Sequence, residues 1–203
     1  MYSEEKLLIN NVICLSILTM YSNNIEYIVK IDKQITLLIN SFSSEYIDYV
    51  MILFSNKYVW IPLYMYLIYF LYTNEKKIFL KLIVVSVLAV IISDFITSSL
   101  MKPYFERLRP CNNPELVGII DIVSGCGKKY GFASSHSSTT FSLATIFYFI
   151  TKKRIQFLFA WSILVGYSRI YLGVHYFGDV LVGLFMGFLT SLIIYRTTYK
   201  LLK

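Results

Sequence analysis

The chain has 203 residues, 57% of them hydrophobic, with a formal net charge of +7 and a mean hydropathy of +0.61. Soluble domains run nearer to roughly 45–50% apolar, so this is the composition of one integral membrane domain with no room for a second soluble module. The basic excess does not mark a nucleic-acid binder, because many cations fall in short clusters between apolar spans and no basic, aromatic-interleaved module lies outside them.

Six apolar segments run at roughly 5–22, 50–72, 79–100, 137–151, 155–173 and 176–198. Backbone groups in lipid must be satisfied internally, so these segments predict helices and an all-α membrane bundle of about six transmembrane helices. The first is the weakest, interrupted by Asn10 and Asn11. It admits three readings: a span, a cleaved signal peptide or a surface helix. No small-residue cleavage pattern follows it, which favours the span. Residues 25–49 mix charges with Ile28, Ile31, Ile35, Leu38 and Ile39, a near-helical spacing that predicts an amphipathic helix at the interface. The chain thus divides into an N-terminal part, 1–49, holding the weak span and the amphipathic helix, and a membrane core, 50–203.

Cation placement predicts orientation. Lys76, Lys77 and Lys81 lie between spans two and three, Lys152, Lys153 and Arg154 between spans four and five, and Arg196, Lys200 and Lys203 close the chain. Alternating spans put all three groups on one side, which the positive-inside rule makes cytoplasmic. The opposite, outer side carries the loop 101–136 and the turn 168–179. Cys111 and Cys126 share that loop, where an oxidising compartment allows a disulfide and a reducing one leaves two thiols. No CxxC pattern or Cys/His ligand spacing is present, so no metal site is expected.

The chemistry-bearing residues gather on the same outer side. Lys102 ends the third span, with Arg109 seven residues on and Pro110 after it. Lysine offers a point charge and arginine a planar fork to phosphate oxygens; two snorkelling cations at a span end would look the same. Ser134-Ser135-His136 precedes the fourth span, where helix N-terminal N–H groups suit an anion and His136 could protonate a leaving oxygen. Plain capping is the bland alternative for these serines. Ser168-Arg169 closes the fifth span and His175 opens the sixth, with Asp179 four residues further and on the same helical face. A carboxylate there can fix the imidazole tautomer and leave the other nitrogen free to attack.

Together the three motifs resemble the type 2 phosphatidic acid phosphatase superfamily, which also includes vanadium haloperoxidases and some acid phosphatases. The first motif (Lys102, Arg109, Pro110) and the third (Ser168, Arg169, His175, Asp179) match in full; the middle one reads Ala133-Ser134-Ser135-His136, with Ser135 in place of a glycine. The resemblance covers about residues 50–198. It implies that His175 is the nucleophile, Asp179 its orienting partner and His136 the general acid. Lys102, Arg109, Ser134, Ser135 and Arg169 would bind phosphoryl oxygens, with no metal and no cofactor. The implied activity is metal-independent hydrolysis of a phosphorylated membrane lipid: lipid A, undecaprenyl diphosphate, phosphatidylglycerophosphate or phosphatidate. The implied setting is a bacterial inner membrane, with the site facing the periplasm or exterior. A lipid phosphotransferase and a non-catalytic lipid-phosphate binding or transport protein are the alternatives; oligomeric state has no sequence signal.

Overall fold

The computed structural model describes residues 24–152 and 154–202, and the expected first span at 5–22 lies outside them. The fold is all-helical; among the described residues the only β pairing is an isolated bridge between Leu108 and Tyr130. Helix α1 covers 24–40, followed by α2 (Glu45–Ser55), α3 (Ile61–Asn74) and α4 (Phe79–Asp94). A π-helical stretch, Phe95–Met101, carries α4 without a break into the short α5 (Lys102–Phe105). A long loop leads to α6 (Ser135–Ile150), α7 (Phe157–Tyr171) and α8 (Phe177–Leu202).

Among the described residues, two helices have the length and apolarity to cross a bilayer, Lys76–Phe105 and Phe177–Thr198, and Phe157–Tyr171 is a shorter apolar helix. The segment expected as one span over 50–72 is instead two helices. Asn56 ends α2, its side chain accepts from the Tyr58 N–H, and a 3₁₀ turn at Lys57–Trp60 leads into α3. The Trp60 indole donates to the Phe54 carbonyl across the break at 2.9 Å. The polar run Ser55-Asn56-Lys57 and Pro62 at the start of α3 both act against a continuous helix: Asn56 takes up a backbone donor, and proline has no N–H to give the preceding turn.

Helix α6 is the central post. Its buried residues are mostly small (Ser137, Ser138, Thr140, Ser142, Ala144, Thr145), and small residues let membrane helices approach closely where no hydrophobic drive exists between them. Gly183 and Gly187 on α8 complete the fit: a Cβ on either would strike the α6 backbone at Ser134 or Ser138. Hydroxyl pairs bridge the seams, Ser142 to Ser191 at 2.8 Å and Thr140 to Ser162 at 2.8 Å, with Ser93 bonded to Ser138. Leu67, Leu71, Leu82, Ala89, Phe147, Leu158 and Trp161 fill the apolar core among α3, α4, α6 and α7.

Helix α1 is the helix expected at 25–49, and its buried residues are polar, with Leu37 and Ile39 packed partly against buried clusters beside them. Asp32, Thr36 and Asn40 are buried, while Ile28 and Leu38 are more than half exposed. Asn40 donates to the carbonyls of Asp121 and Tyr171 and accepts from the Asp121 N–H, each at 2.8 Å. Thr36 accepts from the Phe177 N–H at 3.0 Å, and Asp32 from the Gly178 N–H at 2.6 Å. The helix therefore packs across the start of α8, with Leu37 and Ile39 against buried clusters and Ile28 and Leu38 outward.

Candidate functional site

Helices α2 to α7, the long loop and the turn before α8 meet around a cavity of about 350 Å³ lined by Lys102, Arg109, Ser135, His136 and His175, with Asp94, Ser98 and Lys128 on its wall. The break between α2 and α3 forms another side through Ser55, Lys57 and Trp60. Lys102 arrives at the end of the π-helical stretch, and π turns inside α-helices are frequent at functional sites. Its ammonium donates to Ser135 Oγ at 2.6 Å, and Ser98 Oγ meets the same hydroxyl at 2.7 Å. Ser135, which stands where the resembling pattern has glycine, thus gives this lysine a fixed partner.

His136 follows on the first turn of α6, where N–H groups have no intrahelical acceptor and the helix dipole favours negative charge. The charges of Arg169, Lys102 and Arg109 all act on its ring. Arg109 is held by the loop: its N–H bonds the Lys129 carbonyl at 3.2 Å and its Nε the Tyr130 carbonyl at 3.2 Å. The loop is stapled by a disulfide between Cys111 and Cys126, with Cα atoms 5.9 Å apart. The Cys111 N–H also bonds the Gly173 carbonyl, tying the loop to the turn before His175.

His175 lines the cavity and turns its Nδ1 away onto Asp179 Oδ2, 3.3 Å distant. Asp179 is fully buried. Its Oδ2 also accepts the Tyr176 N–H at 3.0 Å, and its Oδ1 accepts Arg107 Nη1 at 2.7 Å. Burial pushes the His175 imidazole down to about 4, against an upward pull from Asp179. The ring is therefore neutral through the physiological range, with Nδ1–H directed at the carboxylate and Nε2 carrying the lone pair. Gly131 passes directly over this pair: a Cβ there would lie 3.0 Å from Asp179 Oδ2 and 3.5 Å from His175 Nδ1.

Two expected residues stand outside the cavity wall. Ser134 is fully buried and caps the base of α6, its N–H on the Asp179 carbonyl at 2.9 Å and its hydroxyl accepting from Ser137 at 3.1 Å. Arg169 bonds Ser55 Oγ through Nη1, and its buried Nε has no hydrogen-bond partner. It acts electrostatically on both histidines. The structure adds residues that the motif reading passed over. Arg107 lies inside the Lys102–Arg109 interval and bridges Asp179 and Asp32; Lys57, Lys128 and Asp94 reach the cavity from three separate segments. Burial alone would lower the Arg107 pKa, but Asp179 and Asp32 raise it above the ordinary arginine value.

Comparison with known proteins establishes the family. The family model described as the PAP2 superfamily matches residues 79–203. The chain belongs to the PAP2 superfamily. It is similar to the lipid A 4'-phosphatase of Bacteroides thetaiotaomicron, 34% identical over 183 residues, covering 87% of this chain and 81% of that one. The lipid A 4'-phosphatase of Porphyromonas gingivalis is 33% identical over 175 residues, covering 84% and 74%. Among solved structures, Aquifex aeolicus LpxE superposes with a TM-score of 0.59 at 26% identity, over 80% of this chain and 93% of that one. As a PAP2 lipid phosphatase, the chain meets the expectation drawn from its three motifs at the level of family and enzyme class.

Proposed function

We propose that this PAP2 protein hydrolyses a phosphate monoester of lipid A through a phosphohistidine on His175. The observation that carries the reading is the single cavity shared by His175, His136, Lys102 and Arg109, with Asp179 buried behind His175. His175 Nε2 attacks phosphorus, the bond from phosphorus to the lipid oxygen breaks, and His136 donates a proton to that oxygen. Asp179 stabilises the positive charge that the phosphorylated imidazole acquires. In the second step His136 takes a proton from water, the resulting hydroxide attacks phosphorus, the N–P bond breaks and inorganic phosphate leaves. Lys102, Arg109 and the first turn of α6 with Ser135 hold the equatorial oxygens, preorganised for developing charge. Arg169 Nε, a buried donor without a partner, is the kind of group a phosphoryl oxygen would satisfy. Ser134 contributes by holding the base of α6.

Lipid A is favoured because both relatives at 33–34% identity carry that activity in their names and are covered over most of their length. A second cavity, about 320 Å³ and lined by Leu67, Ile83, Leu143, Phe147 and Trp161, shares Tyr64, Thr139 and Thr140 with the phosphate cavity. That apolar continuation gives an acyl chain a place between α3, α4, α6 and α7. The reading includes six spans in an inner membrane, with the site outward, because the cation clusters at Lys76–Lys81 and Lys152–Arg154 fall on the opposite side. An outward site also suits the Cys111–Cys126 disulfide.

The test is phosphate release by the full chain in detergent with EDTA, from lipid A, undecaprenyl diphosphate, phosphatidylglycerophosphate and phosphatidate. Release from lipid A fastest, lost in His175→Ala, is the expected result. Preference for another lipid would replace the substrate. Phosphate binding without release from any of them, unchanged in His175→Ala, would replace the enzyme reading with a binding protein.

A further inference from the structure

We infer that Asp32, on helix α1, is a positioning residue for the Asp179–His175 pair and acts through Arg107; the inference rests on His175 being the nucleophile. Asp32 lies N-terminal to the stretch 79–203 that the PAP2 family model matches. Its carboxylate is nonetheless tied to the catalytic end of the bundle by both oxygens. Oδ1 accepts the Gly178 N–H at 2.6 Å, on the first turn of α8, and Oδ2 accepts Arg107 Nη2 at 2.5 Å. The other arm of the same guanidinium, Nη1, holds Asp179 Oδ1 at 2.7 Å. The guanidinium also lies over the Tyr176 ring, 4.1 Å from its centroid.

One fork is thus shared between two carboxylates, a nitrogen to each. That sharing leaves Asp179 Oδ2 for His175 Nδ1 and the Tyr176 N–H. If Asp32 loses its charge, the guanidinium is free to close on Asp179 with both arms, as arginine forks prefer to do. Asp179 then turns from the imidazole and its negative charge is drawn to arginine at the step where the imidazole becomes positive. None of these groups except His175 reaches the phosphate cavity, so the effect falls on turnover and not on substrate binding. Thr36 provides the contrast: it caps α8 from the same face of α1 through the Phe177 N–H and donates to the Asp32 carbonyl, while the Arg107 guanidinium bonds the Asp32 and Asp179 carboxylates.

The experiment uses the full chain in detergent, with phosphate release from lipid A and the thermal midpoint measured for every variant. Asp32→Asn keeps an oxygen for the Gly178 N–H and removes the charge; kcat is expected to fall ~10- to 100-fold with KM within about twofold, the range of one charge-assisted hydrogen bond. Asp32→Glu restores kcat to within about fivefold of wild type. Thr36→Val lowers the thermal midpoint but keeps kcat within about twofold. In Arg107→Gln, adding Asp32→Asn changes kcat by less than about twofold, because the route between Asp32 and Asp179 is already cut. The inference is overturned if Asp32→Asn turns over like wild type, if Thr36→Val loses as much kcat, or if the Asp32 and Arg107 losses multiply. Should Asp32→Asn not accumulate as folded protein, the Asp32→Glu variant in wild-type and Arg107→Gln backgrounds reads the same coupling, and multiplying losses there overturn it equally. His175→Ala is run in parallel: if it turns over, the nucleophile reading has failed, whereas an inactive His175→Ala beside a fully active Asp32→Asn sinks the Asp32 inference alone.

Discussion

Gly131→Ala adds one methyl group and should disable the site although it removes no functional side chain. The added Cβ would sit 3.0 Å from Asp179 Oδ2, 3.1 Å from Arg109 Cγ and 3.5 Å from His175 Nδ1. An oxygen at 3.0 Å must give way by a few tenths of an ångström, and Asp179 has little room to do so. Arg107 holds its other oxygen at 2.7 Å and the Tyr176 N–H holds Oδ2 at 3.0 Å. The weakest of its bonds, 3.3 Å to His175 Nδ1, is the one that opens. Losing a charge-assisted hydrogen bond to the nucleophile raises the barrier by about 1.5–3 kcal/mol, or roughly 10- to 150-fold in kcat. Overpacking itself costs about 1–3 kcal/mol of stability, which lowers the thermal midpoint without unfolding the protein at assay temperature. Phosphate release from lipid A in detergent measures the first and a thermal melt the second. A variant with wild-type kcat and an unchanged midpoint would show that the backbone at Gly131 does not press on the dyad, and the argument would be wrong.

Asp179→Asn should cost about 2–4 kcal/mol in the barrier, ~30- to 1,000-fold in kcat, because Arg107 loses its buried anion and the imidazole its tautomer lock; single-turnover trapping of phosphohistidine would show the loss in the first step. The pH dependence follows from His175. Its folded pKa of about 4 lies below the ordinary 6.5, so the ring stays neutral and nucleophilic as the solution is acidified. Activity should therefore persist to about pH 5 before an acid limb appears, read from kcat/KM against pH. The same depression makes a stability contribution that is complete above pH 6.5 and declines between 6.5 and about 4, as the unfolded chain takes up a proton the folded one refuses; it amounts to about 3 kcal/mol and is checked by denaturation across that window. Cys111→Ser with Cys126→Ser opens the Arg109 loop and should remove about 3 kcal/mol in the chain-entropy model; a thermal melt with and without reductant measures it, and the wild type alone should respond to reductant.

How much of this could be read from the residues depends on what each signal was made of. The apolar runs at 79–100, 155–173 and 176–198 correspond to helices α4, α7 and α8 because long apolar stretches leave the backbone few alternatives. The 50–72 run did not, since hydropathy averages over Ser55-Asn56-Lys57 and Pro62 while the backbone responds to a side-chain acceptor and a missing donor. The period at residues 25–49 predicts a helix, and α1 is one, but period alone does not show that Asp32, Thr36 and Asn40 are its buried residues, since their hydrogen-bond partners lie far along the chain. In the site, motif spacing led to Lys102, Arg109, Ser135, His136 and His175, which share one cavity. It passed over Arg107 because the pattern is defined by its ends. A charge beside a proline-flanked arginine in an apolar protein was the available clue, since a charge without water requires a partner. Asp32 gave no such signal: its partners, Arg107 and Gly178, are 75 and 146 residues away.

The π-helical stretch at Phe95–Met101 sets a rule about chain length. A π turn holds one residue more than the α turn it replaces, and each residue of an α-helix turns the chain by about 100° and advances it about 1.5 Å. The extra residue is taken up inside the stretch, so α5 leaves it on nearly the bearing that a regular helix one residue shorter would give. Deleting one residue there would let the helix relax to a regular one with Lys102 still near the Ser135 hydroxyl it meets at 2.6 Å. Deleting one from the regular turns of α4 has no such outlet and would swing Lys102 and, beyond it, Arg107 and Arg109 by about 100°. The π stretch is thus a place where the helix can lose a residue without re-aiming the cations that follow it.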